Sequence, residues 1–389
     1  MTTLVQDSEV EPTDRRTRAT RWGVPVRTAA VVIALIVAAV SPYYVPGFWL
    51  QTGLFFMAAA VGAMGLGMLT GVCGQLSLAH SFFLAVGAYC YVLFASPSET
   101  VLGAARVGLG LPPIVAMVLA VAAAGVAGLI FSPVAARVRG LYLGVASIGL
   151  VFLGQHILFN ATALTGGFNG RAVPGFELLG LSFAADGPDW MILGVAFGHV
   201  ERLWYLFIAV GIVSYLFARN IVAGRPGRAM SLLRDQEPAA IAMGVNPSRL
   251  RGKAFLYSSM FAGLAGVLLA LVYQHIVPET FSLLLAINYL VMIVIGGIDR
   301  VAGAVLGALF VTLIPALLQK FGNQLPFLAD ASRSGIGAAE LAAMVYGAAV
   351  IAVVLYEPDG LYGLGGRIAR FTKRSVRRAG SQEGVNAGS

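Results

Sequence analysis

Charged residues are scarce in this chain. Asp, Glu, Lys and Arg together make up 11% of its 389 residues, and hydrophobic residues make up 58%, whereas a soluble domain carries about 25% charged residues. A large buried core would also lower the charge. The chain contains long apolar runs, however, and about 20 apolar residues in succession span a bilayer. The composition therefore predicts a polytopic membrane protein.

Groups that bind metals or catalyse reactions are few and scattered. The two cysteines, Cys73 and Cys90, and the four histidines have no disulfide or metal-ligand spacing. No Ser–His–Asp set or carboxylate pair is assembled by spacing, so a membrane-embedded enzyme has no support. No acidic residue lies well inside a predicted span. Because an Asp at the centre of a span costs about 2.5–3.5 kcal/mol, and ion-driven carriers usually need one, its absence argues against a proton- or sodium-coupled carrier.

A phosphate-binding loop of the form GxxxxGK(S/T) is also absent. The only Gly-Lys pair, Gly252-Lys253, is followed by Ala254, and position 247 is a proline instead of the required glycine. Such a site needs backbone amides around the phosphate and a hydroxyl for magnesium. The chain is therefore not expected to hydrolyse ATP or to hold a cofactor, and any ATP that drives it is bound by another polypeptide.

The apolar runs predict ten membrane spans. They are 27–45, 48–70, 80–96, 111–131, 140–160, 203–219, 254–274, 283–299, 302–320 and 341–357. Residues 1–26 are expected to form a disordered tail, 27–365 the membrane domain, and 366–389 a basic tail. The run 29–40 also fits the core of a signal peptide, but the long leader before it favours an uncleaved helix.

Basic residues indicate the orientation. With the N-terminus inside, all but five of the 26 basic residues lie in cytoplasmic segments, as the positive-inside rule requires. The five exceptions are Arg106, Arg171, Arg202, Lys320 and Arg333. Both termini and the loop 219–253 are then cytoplasmic. The net charge of +8 is thus a consequence of topology and predicts the lipid bilayer as a partner, not a nucleic acid.

The loop 219–253 is the one long polar interruption of the apolar sequence. Seven basic residues lie in it, and residues 237–244 predict a short helix. Pro238 suits the first helical position and Gly244 the residue just past the end, and Asn246-Pro247 then stops the helix. A small capped helix on a basic loop is expected to contact a partner; the alternative is an ordinary solvated loop helix.

This loop resembles the cytoplasmic coupling loop of ATP-binding-cassette importer permeases, most closely the branched-chain amino acid permease family (the LivM-like branch). The family pattern is Gly-Arg, then Glu-x-Ala-Ala-x-x-Met-Gly, then a basic return into the membrane. The wider permease superfamily has Ala directly after the Glu, and Pro238 departs from that. The resemblance implies that ATPase coupling is carried by Arg228, Glu237, Ala239, Ala240, Met243 and Gly244. The two alanines are expected to be small so that the helix enters a groove on the ATPase.

A glycine-interrupted segment, residues 70–80, is the first candidate for the substrate path. Broken helices free backbone groups to bind a zwitterion, whereas the ordinary alternative is a cytoplasmic turn with polar caps. The stretch GQLSLAHSFFLAVGAY resembles the family pattern GQxSLGxxxFxxxGAY, with Ala79 in place of Gly. The candidate residues are Gly74, Gln75, Ser77 and His80.

A second glycine-rich segment, residues 164–170, resembles the LTGGxxG segment of the same family. Its backbone amides fit an anion nest for a carboxylate, and an ordinary external turn is the alternative. The candidate residues are Thr165, Gly166 and Gly167. They are expected to face the pore together with Gln75 and Ser77.

The resemblance covers most of residues 50–365 and implies an all-α ABC importer permease fold with about ten transmembrane helices, some short or broken. The implied partners are a second related permease subunit, two ATP-binding subunits and an extracytoplasmic substrate-binding protein, in a bacterial cytoplasmic membrane. Branched-chain amino acids are the leading substrate, and other amino acids, urea and short amides stay open. The rival from another class is an ion-coupled secondary transporter of a small polar solute.

Overall fold

The computed structural model describes residues 36–101, 104–138, 140–178, 181–184, 190–192, 195–298, 300–321, 338–356 and 360–363. The chain divides into two compact units, residues 1–44 and 45–389. In the first unit, residues 36–44 are helical. The two predicted tails, 1–26 and 366–389, and the start of the first predicted span lie outside the described residues.

The second unit is built from helices. They are Gly47–Leu66 (α1), which continues as a π-helix over Gly67–Val72, His80–Ala95 (α2), Pro113–Arg137 (α3), Leu141–Asn160 (α4), Thr162–Thr165 (α5), His199–Ala223 (α6), Arg225–Asp235 (α7), Glu237–Ala242 (α8), Pro247–Tyr273 (α9), Leu283–Gly296 (α10), Val301–Phe321 (α11) and Ala338–Tyr356 (α12). Short 3₁₀ turns lie at Gly167–Asn169 and Pro278–Phe281.

Among the described residues, six helices are long and apolar enough to cross a membrane. They are α1 with its π-helical continuation, α3, α4, α6, α9 and α11. Three shorter apolar helices are α2, α10 and the segment Ala343–Val353 within α12. Each predicted span from 48–70 onward coincides with one of these nine helices. The all-α polytopic fold class is therefore confirmed.

Short antiparallel strands connect several helices and were not predicted. They pair as Glu99–Val101 (β1) with Ala104–Arg106 (β2), Arg171–Ala172 (β3) with His275–Ile276 (β8), Glu177–Leu178 (β4) with Leu181–Ser182 (β5), and Trp190–Ile192 (β6) with Val195–Phe197 (β7). All lie between helix ends that face away from α7 and α8. We call this end of the bundle the hairpin end, and the end that carries α7 and α8 the loop end.

The long helix α9 lies at the centre of the bundle, against α1, α2 and α3. Glycines permit the close contacts. A side chain at Gly87 would overlap the backbone of Gly263, and one at Gly266 would overlap the carbonyl of Leu84. Helices in a bilayer associate largely through such close packing, because lipid is as apolar as the side chains. The tight α2–α9 crossing is therefore a main support of the fold.

A separate apolar cluster lies at the loop end. Its buried members come from α1 and the residues after it, from α3, α4, α7, α8 and α9: Leu69, Val72, Cys73, Ala135, Leu143, Met230, Leu233, Ala240, Leu250, Ala254 and Phe255. We call it the loop-end cluster. It packs the polar loop against the membrane helices, so that α7 and α8 do not extend freely into solvent.

Candidate functional site

Helix α7 packs one face against the bundle. Its buried residues, Gly227, Met230 and Leu233, are spaced three apart, which places them on one side of a helix. A side chain at Gly227 would overlap the carbonyl of Val222. Arg228 is exposed, and its Nη1 donates to the carbonyl of Ala223 at 2.9 Å. Arg228 therefore satisfies a carbonyl at the end of α6, where the helix leaves its last carbonyls unpaired.

Helix α8 has the ends that the sequence predicts. Pro238 lies in its first turn, and Gly244 follows it in the left-handed conformation, with φ +81°. The Gly244 amide donates to Ile241 O at 2.9 Å. Asn246 then caps α9, because its Oδ1 accepts from the Arg249 amide at 3.1 Å. The short capped helix is confirmed.

The burial of the α8 alanines differs from the expectation that both enter a groove on the ATPase. Ala240 is fully buried in the loop-end cluster and Ala239 is half-buried. Ala240 is therefore small because it packs inside its own chain, and it is not available to enter a partner's groove. Two apolar side chains near Ala240 are exposed instead: Ile241 of α8 is 54% exposed, and Met243, the residue directly after α8, is 76% exposed. Gly244 is also exposed, with open space around it.

An ion pair fastens α8 to the central helix. Glu237 Oε2 lies 3.1 Å from Arg251 Nη2, and the Arg251 side chain is only 7% exposed. The pair borders a shallow groove of about 540 Å³. Its lining includes Ile241, Gly244 and Pro247. Since α9 is the packing centre of the bundle, the pair joins the exposed loop directly to the membrane helices.

The first substrate-path segment is a break between α1 and α2, as the glycines predict. We call residues 73–79 the helix break. Gln75 N donates to Leu69 O at 3.1 Å, Thr70 Oγ1 donates to Gln75 O at 3.2 Å, and Gly74 has φ +72°. Gln75 is half-buried, whereas Ser77 is 1% exposed. The break is thus an ordered segment with few free side chains.

The end of the break contacts α4, and His80, the first residue of α2, contacts α10. The Leu78 amide donates to Ser147 Oγ at 2.8 Å, and the Ala79 amide donates to Ser77 Oγ at 3.3 Å. The buried His80 ring packs edge-on against Tyr289, with centroids 4.9 Å apart, and its Nε2 has no hydrogen-bond partner in the part of the chain that the structure describes.

The second substrate-path segment is a compact turn at the hairpin end. Thr165 Oγ1 donates to Leu158 O at 2.6 Å and accepts from the Gly167 amide at 3.1 Å, and the Gly166 amide donates to Thr162 O at 2.9 Å. These amides are already paired, which favours an ordinary turn over an anion nest. This turn follows the C-terminal end of α4. Ser77 instead lies near Ser147, which is in the N-terminal part of α4. About 20 Å of helix, at 1.5 Å per residue, separates the two segments, so the structure does not bring them into one site.

A family described as the permease component of a branched-chain amino acid transport system matches residues 49–354. The chain belongs to this family. Among its relatives is the high-affinity branched-chain amino acid transport system permease protein LivM of Salmonella typhimurium, which is 27% identical over 87% of this chain and 76% of its own length, and the Escherichia coli LivM matches equally well. The permease protein BraD of Pseudomonas aeruginosa is 26% identical over 78% of this chain and 91% of its own. No solved structure matches.

Two arginines of this permease have contacts that the sequence did not reveal. In the sequence, Arg234 and Arg251 are distinguished only as positive charges on a polar loop. Arg251 pairs with Glu237, and Arg234 Nη1 donates to the carbonyl of Gly71, 163 residues away. The sequence does not indicate either contact. Glu237 is not within one helical turn of Arg251, and the partner of Arg234 is a backbone carbonyl.

Proposed function

We propose that this permease is a membrane-spanning subunit of an ATP-binding-cassette importer for branched-chain amino acids. It works in a bacterial cytoplasmic membrane with its termini and loop end in the cytoplasm. Its partners are a second related permease subunit, two ATP-binding subunits and an extracytoplasmic binding protein. The chain supplies the pathway, and the energy comes from ATP that the partner subunits hydrolyse.

The observation that carries the proposal is the two-sided character of α8. Its inner side is fixed by Ala240 and by the Glu237–Arg251 pair. Away from these contacts, Ile241 of α8 and Met243, directly after it, are exposed to solvent. A few large apolar side chains on a rigid support are the usual anchors of a helix in a partner's groove. A helix that is fixed before binding loses little conformational freedom when it docks.

The substrate class rests on the family. The LivM and BraD relatives are named as parts of high-affinity branched-chain amino acid transport systems. Binding proteins select the substrate of such importers, so the chain itself requires only a path that accepts a small zwitterion. We therefore extend the substrate named for the relatives to this permease.

Charge on the outer face of α8 tests the docking role. Ile241→Asp and Met243→Asp each remove an apolar anchor, and loss of one anchor costs about 2 kcal/mol or more, which weakens binding by about 30-fold. Both variants should lose the ATPase subunits on purification of the complex. They should also lose ATP-dependent uptake in reconstituted vesicles.

Two variants control this test. Met243→Leu keeps an apolar side chain and should retain the ATPase. Arg225→Asp introduces a carboxylate into the same loop at an exposed position outside α8, and it should also retain the ATPase. Normal ATPase retention and uptake by Ile241→Asp and Met243→Asp would contradict the docking role.

A further inference from the structure

The guanidinium of Arg234 bridges the loop and the membrane helices. Its Nη1 donates to the carbonyl of Gly71 in the π-helical end of α1, and its Nε donates to Asp235 Oδ1 at 2.8 Å. Arg234 lies in the last turn of α7, and a single residue, Gln236, separates α7 from α8. Any displacement of α8 therefore acts on Arg234 through a very short covalent connection.

The Gly71 carbonyl is available because the helix ends irregularly. In an α-helix this carbonyl would accept from the Gln75 amide. Here Gln75 N donates to Leu69 O at 3.1 Å instead, after the π-helical turn Gly67–Val72. Wide π-turns are frequent at functional positions in helices. Arg234 thus takes the place of a backbone donor at the point where α1 stops.

Gly74 brings the helix break into direct contact with the same side chain. Its φ of +72° is a conformation that favours glycine. A Cβ at this position would lie 2.6 Å from Arg234 Cγ, too close for an ordinary contact. Arg234 therefore contacts the chain just before and just after the break begins. It bonds to the carbonyl of Gly71 and makes van der Waals contact with Gly74.

The far side of the break reaches the membrane helices. Its Leu78 amide bonds to Ser147 of α4, and His80, the first residue of α2, packs on Tyr289 of α10. A side chain at Gly71 would overlap the carbonyl of Ile298, in the turn after α10. The break is thus an irregular segment held between Arg234 on one side and α4 and α10 on the other. Irregular segments between helices are where hinge motions are absorbed.

We propose that Arg234 is a positioning residue that transmits movement of α8 to the helix break, so that ATPase binding or closure at α8 shifts the break against α4 and α10. This inference rests on the proposed function and names how its coupling site acts on the membrane domain. Arg234 does not contact the substrate. It holds Gly71 and Gly74 in register with α7 while the loop moves.

The test uses the complete transporter in vesicles and measures uptake per ATP hydrolysed. Arg234→Ala removes the bond to Gly71 and the contact with Gly74. The variant should keep its ATPase subunits and their basal hydrolysis, while uptake per ATP falls by about tenfold, within the usual range for coupling between sites. Arg234→Lys keeps a cationic hydrogen-bond donor and should retain most of the wild-type uptake per ATP hydrolysed. Asp235→Asn alters the carboxylate that pairs with Arg234 Nε and should match the wild type.

A second variant tests the shared contact. Gly74→Ala places a methyl group against Arg234 Cγ and should also lower uptake per ATP without loss of ATPase subunits. If the two residues form one link, Arg234→Ala combined with Gly74→Ala should be no worse than the stronger single variant. Multiplied effects in the double variant would contradict a single link.

Other outcomes separate this inference from the proposed function. A wild-type chain that never retains ATPase subunits refutes the proposed function itself. An Arg234→Ala variant that alone loses the ATPase shows that Arg234 only supports the docking site, which overturns the link. An unchanged uptake per ATP in Arg234→Ala also overturns it.

Discussion

Removal of the Glu237 carboxylate should expose the buried thiol of Cys73. Cys73 is 2% exposed and lies in the loop-end cluster with Ala240 of α8. It reacts with a thiol reagent only when this cluster opens, and we expect movement of α8 to open it. The Glu237–Arg251 pair resists that movement. Its loss therefore raises the fraction of time that the thiol is open to the reagent.

The expected size follows from the burial of the pair. Breaking a buried ion pair costs about 3–5 kcal/mol, because the remaining charge is left uncompensated. The Glu237 side chain is 23% exposed, which lets water reach the Arg251 guanidinium after Glu237→Ala. We therefore expect Glu237→Ala to lower the free energy of opening the loop-end cluster by about 2 kcal/mol, which corresponds to about 30-fold faster labelling. Arg251→Met leaves the more exposed partner and should accelerate labelling less.

The assay is the rate of maleimide reaction in detergent, without ATPase subunits, in a Cys90→Ala background. That substitution leaves Cys73 as the only cysteine of the chain. Glu177→Ala removes an exposed carboxylate from the hairpin end and should leave the rate unchanged. A labelling rate in Glu237→Ala within twofold of the parent's would show that the ion pair does not hold α8. That result would contradict the rigid support proposed for docking.

Three further predictions concern orientation and packing. A cysteine that replaces Leu232 should be labelled only from the cytoplasm and one that replaces the exposed Phe168 only from outside; the reverse pattern contradicts the orientation. Gly87→Ala, which overlaps the central helix, should abolish a monodisperse size-exclusion peak, whereas Gly149→Ala, with open space around it, should not. Ser147→Ala leaves the partly buried Leu78 amide without its acceptor and should destabilise the folded protein by about 1 kcal/mol; an unchanged melting curve would show that this bond does not hold the helix break.

Membrane spans and helix ends were predictable because they depend on local sequence. Nine predicted spans coincide with helices, since apolar runs of about bilayer length are a strong signal. The ends of α8 followed from Pro238, Gly244 and Asn246, whose conformational preferences act within a few residues. The break before His80 followed from the glycines of its segment.

Contacts between distant segments were not predictable from one sequence. Ala240 was expected to face a partner, but its direction depends on how α7 and α8 pack on the loop-end cluster. The bond from Arg234 to Gly71 joins residues 163 positions apart, and its acceptor is a carbonyl that no residue type announces. The sequence left open whether the amides near Gly166 form an anion nest or an ordinary turn, and the structure shows them occupied by local hydrogen bonds. The short hairpin strands are too brief to show an alternating pattern.

The energy source of uptake is the most direct test of the account. The complete transporter, reconstituted with its binding protein, should accumulate a radiolabelled branched-chain amino acid only when ATP is present on the side of the ATPase subunits, and dissipation of proton and sodium gradients should not matter. Uptake by vesicles that contain this chain alone, driven by an ion gradient without any ATPase, would contradict the account and identify an ion-coupled carrier.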